Sequence, residues 1–292
     1  MIRKIKAFTY LKPATVSEAL FLLDQHDGRA KILAGGTDLL IQMKQRTVTP
    51  DYVIDIKHVS ELDYITYDEN EGLKVGALAT HRAVASSPVI QDKFRLLAEA
   101  AHAVGSVQIR NRGTVAGNLC NASPSADAAP ALIALNAQLK LVSSAGERMV
   151  AVEEFFAGPF RTKRKDAELL AEIQIPNVPP HSGGAYLWLP KIITSVDETL
   201  VGVGAVLAID DATNKTFVEA SIGLGSVAPT PIRARKAGEF LKGKRIEHDL
   251  FKRAGEIART EAMPRSRAEY RSHMIEVFVA RALSQAVGRI MQ

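Results

Sequence analysis

Two stretches decide how the chain is read: Leu33-Ala34-Gly35-Gly36-Thr37-Asp38-Leu39, and Gly113-Thr114-Val115-Ala116-Gly117-Asn118 running on as Leu119-Cys120-Asn121-Ala122-Ser123-Pro124-Ser125-Ala126-Asp127. The first follows a short apolar run. Paired glycines after a strand let backbone approach an anion with no Cβ in the way, and successive N–H groups can then converge on phosphate oxygens. Thr37 adds a hydroxyl donor. The competing reading is a plain strand-to-helix turn with Asp38 near the helix start. The second stretch is rich in small residues, hydroxyls and amides, so it packs poorly as core and well against a flat polar ligand. Its competing reading is a loop that only caps a helix, with Ser123 as the cap and Pro124 in the first turn.

Outward from these stretches, the pattern is mixed. Thr15-Val16-Ser17-Glu18 has the form of a capping box ahead of an apolar helix face. Lys31–Ala34, Tyr52–Ile56 and Leu73–Gly76 read as strands, and Gln91–His102 as one amphipathic helix. Ala128–Leu135 reads as a helix, Leu139–Val142 with Arg148–Val152 as a hairpin, and Leu169–Ile175 as a strand ended by Pro176. Asn177–Gly184, with Pro179-Pro180 and Gly183-Gly184, is the best linker. Beyond it, Gly202–Ile209 and Phe217–Gly223 pair as strands, and helices cover Ile232–Leu241, Asp249–Thr260 and Arg267–Ile290.

Composition excludes several classes. With 292 residues, 47% of them hydrophobic, the chain can bury one or two cores. No apolar run approaches the roughly 20 residues of a membrane span, and Met1–Ala7 lacks a signal-peptide core, so a cytoplasmic location is expected. Cys120, the single cysteine, cannot form an internal disulfide or ligate an iron–sulfur cluster alone; it reads as a small buried residue. The seven histidines show no zinc spacing. The net charge of +5 comes without interleaved aromatics, which argues against nucleic acid. The Arg161–Lys165 run is either a solvated face or a docking surface.

Two apparent motifs fail and a third is absent. Gly223-Leu224-Gly225-Ser226-Val227-Ala228 matches a dinucleotide turn, but Pro229 and Pro231 forbid the helix that such a turn must open. No Walker-type phosphate loop exists. Ser195 and Asp197 lack a nucleophile elbow.

Together the two glycine stretches resemble the flavoprotein family that includes the medium subunit of carbon monoxide dehydrogenase and the FAD domain of xanthine dehydrogenase. That family carries A-G-G-x-x-L and T-x-G-G-N segments about 80 residues apart, as Ala34 and Thr114 are here, and the second continues into N-A-S-P-x-x-D, as Asn121–Asp127 does. Phe155-Phe156-Ala157-Gly158, the strand Glu168–Pro176 and Ala268-Glu269-Tyr270-Arg271 match further family motifs, so the likeness covers nearly the whole chain. Ala116 replaces the first glycine of the second motif. Trp188 stands where the family has a lysine two residues after the tyrosine, and Asp197 lies further on than its R-x-x-D run places it.

The resemblance implies an α+β fold. A bipartite FAD-binding domain of the vanillyl-alcohol-oxidase/PCMH type would span 1–176 (lobes about 1–57 and 58–176). A C-terminal α/β domain with a small antiparallel sheet and helices would span 180–292. It implies non-covalent FAD, with Ala34–Asp38 and Thr114–Asn118 around the diphosphate and Leu33, Leu39, Asn121 and Ser123 beside them. Asp127 would accept from the ribose or adenine end. Leu170 would pack on a ring edge, Val104 would lie near the flavin, and Lys191 would stand in for the missing lysine. It implies two partners, a molybdopterin-bearing large subunit and a small iron–sulfur subunit, assembled as a dimer of heterotrimers. Electrons would then pass from molybdenum through the clusters to FAD and on to NAD, a quinone or oxygen. No residue is nominated as catalytic. Two alternatives stand beside this reading: a self-sufficient flavin oxidase with its own substrate pocket, and a non-catalytic basic interaction module. Bound yellow colour would separate the module from the other two, and turnover by the isolated chain would separate oxidase from relay. The benzoyl-CoA-type reductases of the family carry a cysteine-rich insertion that is missing here. The substrate of the complex stays open.

Overall fold

The computed structural model describes residues 4–191, 199–211, 213 and 215–292, apart from the His248 side chain. The N-terminal lobe contains β1 (Thr9–Leu11), α1 (Val16–Gln25), β2 (Ala30–Leu33), α2 (Leu39–Gln45) and β3 (Tyr52–Asp55). Its strands form a parallel sheet in the order β1-β3-β2. The capping box forms with one change: Thr15 Oγ1 accepts from Glu18 N at 3.1 Å, and the Glu18 carboxylate accepts from Ala14 N at 2.7 Å, one residue before the cap.

The second lobe starts with β4 (Ile65–Asp68) and β5 (Gly72–Gly76). Short helices follow: α3 (His81–Ser86), α4 (Pro88–Lys93), α5 (Arg95–Ala103), α6 (Val107–Arg110), α7 (Val115–Asn121) and α8 (Ala128–Ala134). The lobe ends with β6 (Gln138–Ser143), β7 (Gly146–Ala151), α9 (Val152–Phe155), β8 (Phe156–Gly158), β9 (Arg161–Thr162) and β10 (Leu169–Ile175). An antiparallel sheet in the order β4-β5-β10-β6-β7 carries it. The expected hairpin is β6–β7. The single helix expected over Gln91–His102 is two helices, because Phe94 leaves helical geometry (φ −132°, ψ 43°) while its ring is buried in the core. Ser123 does not cap a helix: its hydroxyl accepts from Ser125 N at 3.2 Å within a turn, and α8 begins only after Asp127.

The C-terminal domain holds β11 (Ser182–Pro190), β12 (Thr199–Ile209), β13 (Phe217–Gly225), β14 (Ile232–Arg233), α10 (Arg235–Leu241), α11 (His248–Glu261) and α12 (Ala268–Ile290). The sheet is antiparallel in that strand order. Gly183-Gly184, read as linker, belongs to β11, where a Cβ on Gly183 would lie 2.2 Å from the Ala286 carbonyl oxygen of α12. Ile232, read as the start of a helix, is in β14 instead. As expected, no helix follows Gly223–Ala228. Among the described residues, no helix is long and apolar enough to cross a membrane.

The C-terminal sheet is covered on both faces, which is why every residue of β12 is buried. Helix α12 lies on one face. Helix α8, from the preceding domain, lies on the other, and the glycines that mimic a dinucleotide motif make room for it. A Cβ on Gly223 would sit 2.1 Å from the Pro130 carbonyl oxygen, and one on Gly204 2.7 Å from the same atom. Polar ties close the seam: Tyr186 N donates to Glu99 at 3.1 Å, Arg289 Nη1 also donates to Glu99 at 3.1 Å, and Arg233 donates to the Ile133 carbonyl at 2.6 Å. Gly223→Val is expected to lever α8 off the sheet and cost at least about 2 kcal/mol, measured as a fall in thermal midpoint.

Candidate functional site

The turn from β2 into α2 and the turn into α7 come into contact. A Cβ on Gly35 would lie 2.0 Å from the Arg112 carbonyl oxygen and 2.8 Å from Gly113 Cα, so no side chain of any kind fits there. A Cβ on Gly113 would in turn meet Thr37 Oγ1 at 3.2 Å and the His81 ring at 3.4 Å. His81 N donates to the Gly113 carbonyl at 2.9 Å, and Gln42 Nε2 donates to Asn121 Oδ1 at 2.8 Å, joining α2 to α7. Two segments about 80 residues apart in the chain thus form one polar, small-residue seam.

The glycines also serve a packing role that the sequence does not indicate. Open approach of backbone to an anion is the expectation. In the structure the missing Cβ of Gly35 makes room for the other motif. Gly36 is in the left-handed region (φ +76°), and a Cβ there would meet Leu33 Cδ1 at 2.9 Å. The second motif is likewise not a loop but the start of α7, with Thr114 as N-cap accepting from Gly117 N at 3.0 Å. Val115 and Ala116 are buried, so the methyl that Ala116 adds over glycine is packed inside.

The seam leaves hydrogen-bonding capacity unmet. Asn118 Oδ1, within the second motif, and His81 Nδ1 are both buried without a protein partner. A buried unsatisfied polar atom costs about 1–3 kcal/mol, so two of them at one seam mark a place for a polar ligand. Arg110 and Arg112 add positive charge, and Arg110 Nη1 holds the Val104 and Gly105 carbonyls at 3.0 and 2.9 Å. Asn118 Oδ1 can only accept and calls for a donor, whereas the Thr37 hydroxyl and the charges of Arg110 and Arg112 are the groups that suit an anionic diphosphate.

The other expected site residues are spread more widely. Ala34, Asp38 and Leu39 flank the seam, and Asp38 makes no capping bond. Leu33 is buried at the end of β2. Val104 ends α5, mostly buried. Leu170 is buried in β10 beside a β-bulge. Asp127 faces inward, its Oδ1 accepting from Thr199 at 2.5 Å and Tyr186 at 3.2 Å. It therefore ties the second motif to the C-terminal sheet. Lys191 is exposed just after β11. Trp188 stacks on Tyr186 with centroids 6.1 Å apart. Ser195 and Asp197 lie outside the described residues.

Cys120 is half-buried against the core, and desolvation pushes its thiol up to about 11, so it is a poor nucleophile at neutral pH. The Arg161–Lys165 run is partly structural: Arg164 donates to the Lys165 carbonyl at 2.8 Å and Lys165 N to the buried Glu168 carboxylate at 2.7 Å, while Arg148 pairs with Glu168 at 2.7 Å. His81, Arg112 and Gln42 escape sequence reasoning. Only the Thr80-His81 pair at a helix start hints at the first, and nothing local marks the others.

Gly35→Ala is expected to force the two motifs apart and weaken flavin binding at least about tenfold, with a smaller loss of fold stability, read by titrating flavin fluorescence. Asp127 gives a pH signature. Burial, only partly offset by the Thr199 and Tyr186 hydrogen bonds, lifts its carboxyl from 3.8 to about 6. A carboxyl with a raised folded-state pKa stabilises the fold most below its unfolded value, and that contribution is lost as pH rises through the folded one. Asp127→Asn keeps the Oδ1 acceptor and removes the ionisation. Its stability relative to the parent should therefore climb between about pH 4 and 6 and level off above, as measured by urea denaturation at each pH.

Comparison with known proteins agrees with this geometry. Residues 6–178 match the family model described as the FAD binding domain in molybdopterin dehydrogenase, and residues 194–286 match the CO dehydrogenase flavoprotein C-terminal domain. The carbon monoxide dehydrogenase medium chain of Hydrogenophaga pseudoflava is 33% identical over 97% of this chain and 98% of its own. The xanthine dehydrogenase FAD-binding subunit of Escherichia coli O157:H7 is 30% identical over 96% of both chains. The solved carbon monoxide dehydrogenase from H. pseudoflava superposes with a TM-score of 0.92 at 33% identity, covering 98% of this chain and 99% of that one. The FAD-binding domain followed by a C-terminal domain, expected from the motifs, is therefore the fold found. This chain belongs to the flavoprotein-subunit family of the molybdopterin dehydrogenases, an oxidoreductase subunit whose cofactor is FAD.

Proposed function

We propose that the seam between Leu33–Leu39 and Thr114–Asn118 holds the FAD diphosphate, and that the chain serves as the electron relay of a molybdenum hydroxylase without itself oxidising the organic substrate. The observation that carries this is the fit of Gly35 onto the Arg112 carbonyl, which builds one polar seam from two distant segments, the seam that Thr37 also borders at Gly113. Backbone N–H groups near Gly35–Thr37, the Thr37 hydroxyl and the charges of Arg110 and Arg112 would hold the diphosphate. Asn118 would take a donor from the cofactor or a bridging water. FAD supplies the capacity to exchange electrons singly with clusters and in pairs with a final acceptor. The chain's own part is to bind it, orient it and shield it. Ser123, Asn121 and Asp127 would support the seam from the C-terminal side, and Lys191 would supply a charge near the flavin.

The partners follow from the same reading: a molybdopterin-bearing large subunit and a small iron–sulfur subunit, in a dimer of heterotrimers. Support comes from relatives that are named medium chains and FAD subunits of dehydrogenases. The exposed Arg161, Lys163 and Lys165 suit docking to an acidic surface. We also place the chain in the cytoplasm and its domain boundary between 176 and 180. The isolated, flavin-loaded chain should show no fast flavin bleaching by purines, aldehydes or N-heterocycles, yet should be reduced by an artificial donor and reoxidised by a quinone. Stopped-flow absorbance at the flavin band tests this. Rapid bleaching by an organic substrate with no partner subunit present would favour the oxidase instead.

A further inference from the structure

We infer that Phe160, carried on the tip of the β8–β9 hairpin, is the apolar anchor on which the iron–sulfur subunit docks, with Arg161 and Lys163 as its basic rim. The inference rests on the relay reading above and gives that reading's partner a place on the chain.

The turn is the first argument. Gly158 pairs with Arg161 across β8 and β9, so Pro159-Phe160 form a two-residue turn. The proline ring fixes φ of the first turn residue, and the second, Phe160, is in the left-handed region (φ 58°). A proline followed by a left-handed residue is the type II pattern, and its second place favours glycine or asparagine because a Cβ there is strained. Among the described non-glycine residues with positive φ, Phe160 alone carries a large apolar side chain. Packing within the chain does not compensate, because Phe160 is 62% exposed. Strain of this kind persists where the surroundings fix the backbone and function uses the result. The backbone is indeed fixed, with Phe160 N donating to the Ala122 carbonyl at 2.8 Å, and the ring is left for a partner. Buried aromatic side chains are frequent anchors of protein interfaces.

The second argument is where the tip stands. Ala122 ends α7, whose N-cap Thr114 belongs to the second motif. At about 1.5 Å per residue, Ala122 lies roughly 12 Å along the helix from Thr114. Electrons cross between a cluster and a flavin only over a short gap. In the relay the clusters, not molybdenum, hand electrons to FAD, so the subunit seated beside the seam is the iron–sulfur one. Charge selects the same kind of surface. Arg161 on β9 and Lys163 just beyond it are exposed, and Asp166 is the one acid in the stretch 160–166. Such a rim fits an acidic surface and speeds association with it.

Glycine and asparagine suit the turn better than phenylalanine but carry no ring. In Phe160→Gly and Phe160→Asn the isolated, flavin-loaded chain should therefore melt at the parent's temperature or higher and keep its FAD affinity. Affinity for the purified, cluster-loaded iron–sulfur subunit should fall at least about tenfold in both, measured by surface plasmon resonance. The rate at which that subunit, reduced beforehand, reduces the flavin at low protein concentration should fall by the same factor. Phe160→Tyr keeps an aromatic anchor and should stay within about threefold of the parent. Arg161→Glu combined with Lys163→Glu should slow association and flatten its dependence on salt. Parent-like affinity in both the Gly and Asn variants would overturn the inference. So would lower melting temperatures of both isolated variants, because that marks a ring packed on its own chain. A loss of affinity for the molybdenum subunit with none for the iron–sulfur subunit would overturn the choice of occupant. In each of these cases the parent still assembles and the relay reading stands. A parent chain that binds neither subunit would overturn both.

Discussion

The site depends on one close approach: the Gly35 backbone lying on the Arg112 carbonyl, where a Cβ would be 2.0 Å from oxygen. Repulsion at that distance is far steeper than any local relaxation can absorb, so only glycine lets the β2–α2 turn and the entry to α7 share a surface. Once they touch, other bonds fall into place. His81 N reaches the Gly113 carbonyl, Thr114 caps α7 while bridging to Thr80, and Gln42 reaches Asn121. Each of these is weak alone, about 1 kcal/mol net for a neutral hydrogen bond. They act together because the turn geometry is already fixed by packing.

The same logic governs how the two domains join. Helix α8 lies directly on the C-terminal sheet because Gly204 and Gly223 present no side chains to Pro130. The face so created is apolar, and its polar residues are paired off: Arg233 with Glu153 and the Ile133 carbonyl, Glu99 with Arg289 and Tyr186 N, and Asp127 with Thr199 and Tyr186. Truncating one partner of such a buried pair is costly because it leaves the other desolvated and unpaired. Asp127 gives this seam a functional reach. It follows directly on the second motif, so the position of that motif is coupled to β11 and β12. A flavin held at the seam would have its surroundings set by both domains.

Much of the chain is legible from its own residues. The ordered set of motifs points to the flavoprotein family, and the strand and helix patterns place β2, β3, β5, α8, β6, β7, β10 and α11 within a residue or two, while the short helices α3, α6 and α7 carry too little periodicity to be read. The hairpin β6–β7, the strand β10 and the long final helix lie where periodicity and turn residues put them. No helix opens at Gly223–Ala228, as Pro229 and Pro231 require, and Gly223 and Gly225 pack against Pro130 of α8 instead. Elements whose ends are set by remote packing depart from the local pattern. Phe94 divides a helix because its ring is wanted in the core. Gly183-Gly184 belongs to a strand because α12 presses on it.

The sequence by itself determined the family, the cofactor class and the order of the parts, because these follow from residue types at fixed spacing along the chain. Glycine where backbone geometry demands it, small polar residues beside it and a lone cysteine are all local properties. The tertiary structure alone decided what each glycine is for: Gly35 against Arg112, Gly36 for a left-handed turn, Gly223 under Pro130. It alone brought His81 to the seam and turned Asp127 inward toward Tyr186 and Thr199. Sterics, desolvation and hydrogen bonding act between atoms that are neighbours in space. Residues as far apart in sequence as Thr37, His81 and Gly113 become neighbours only once the chain has folded.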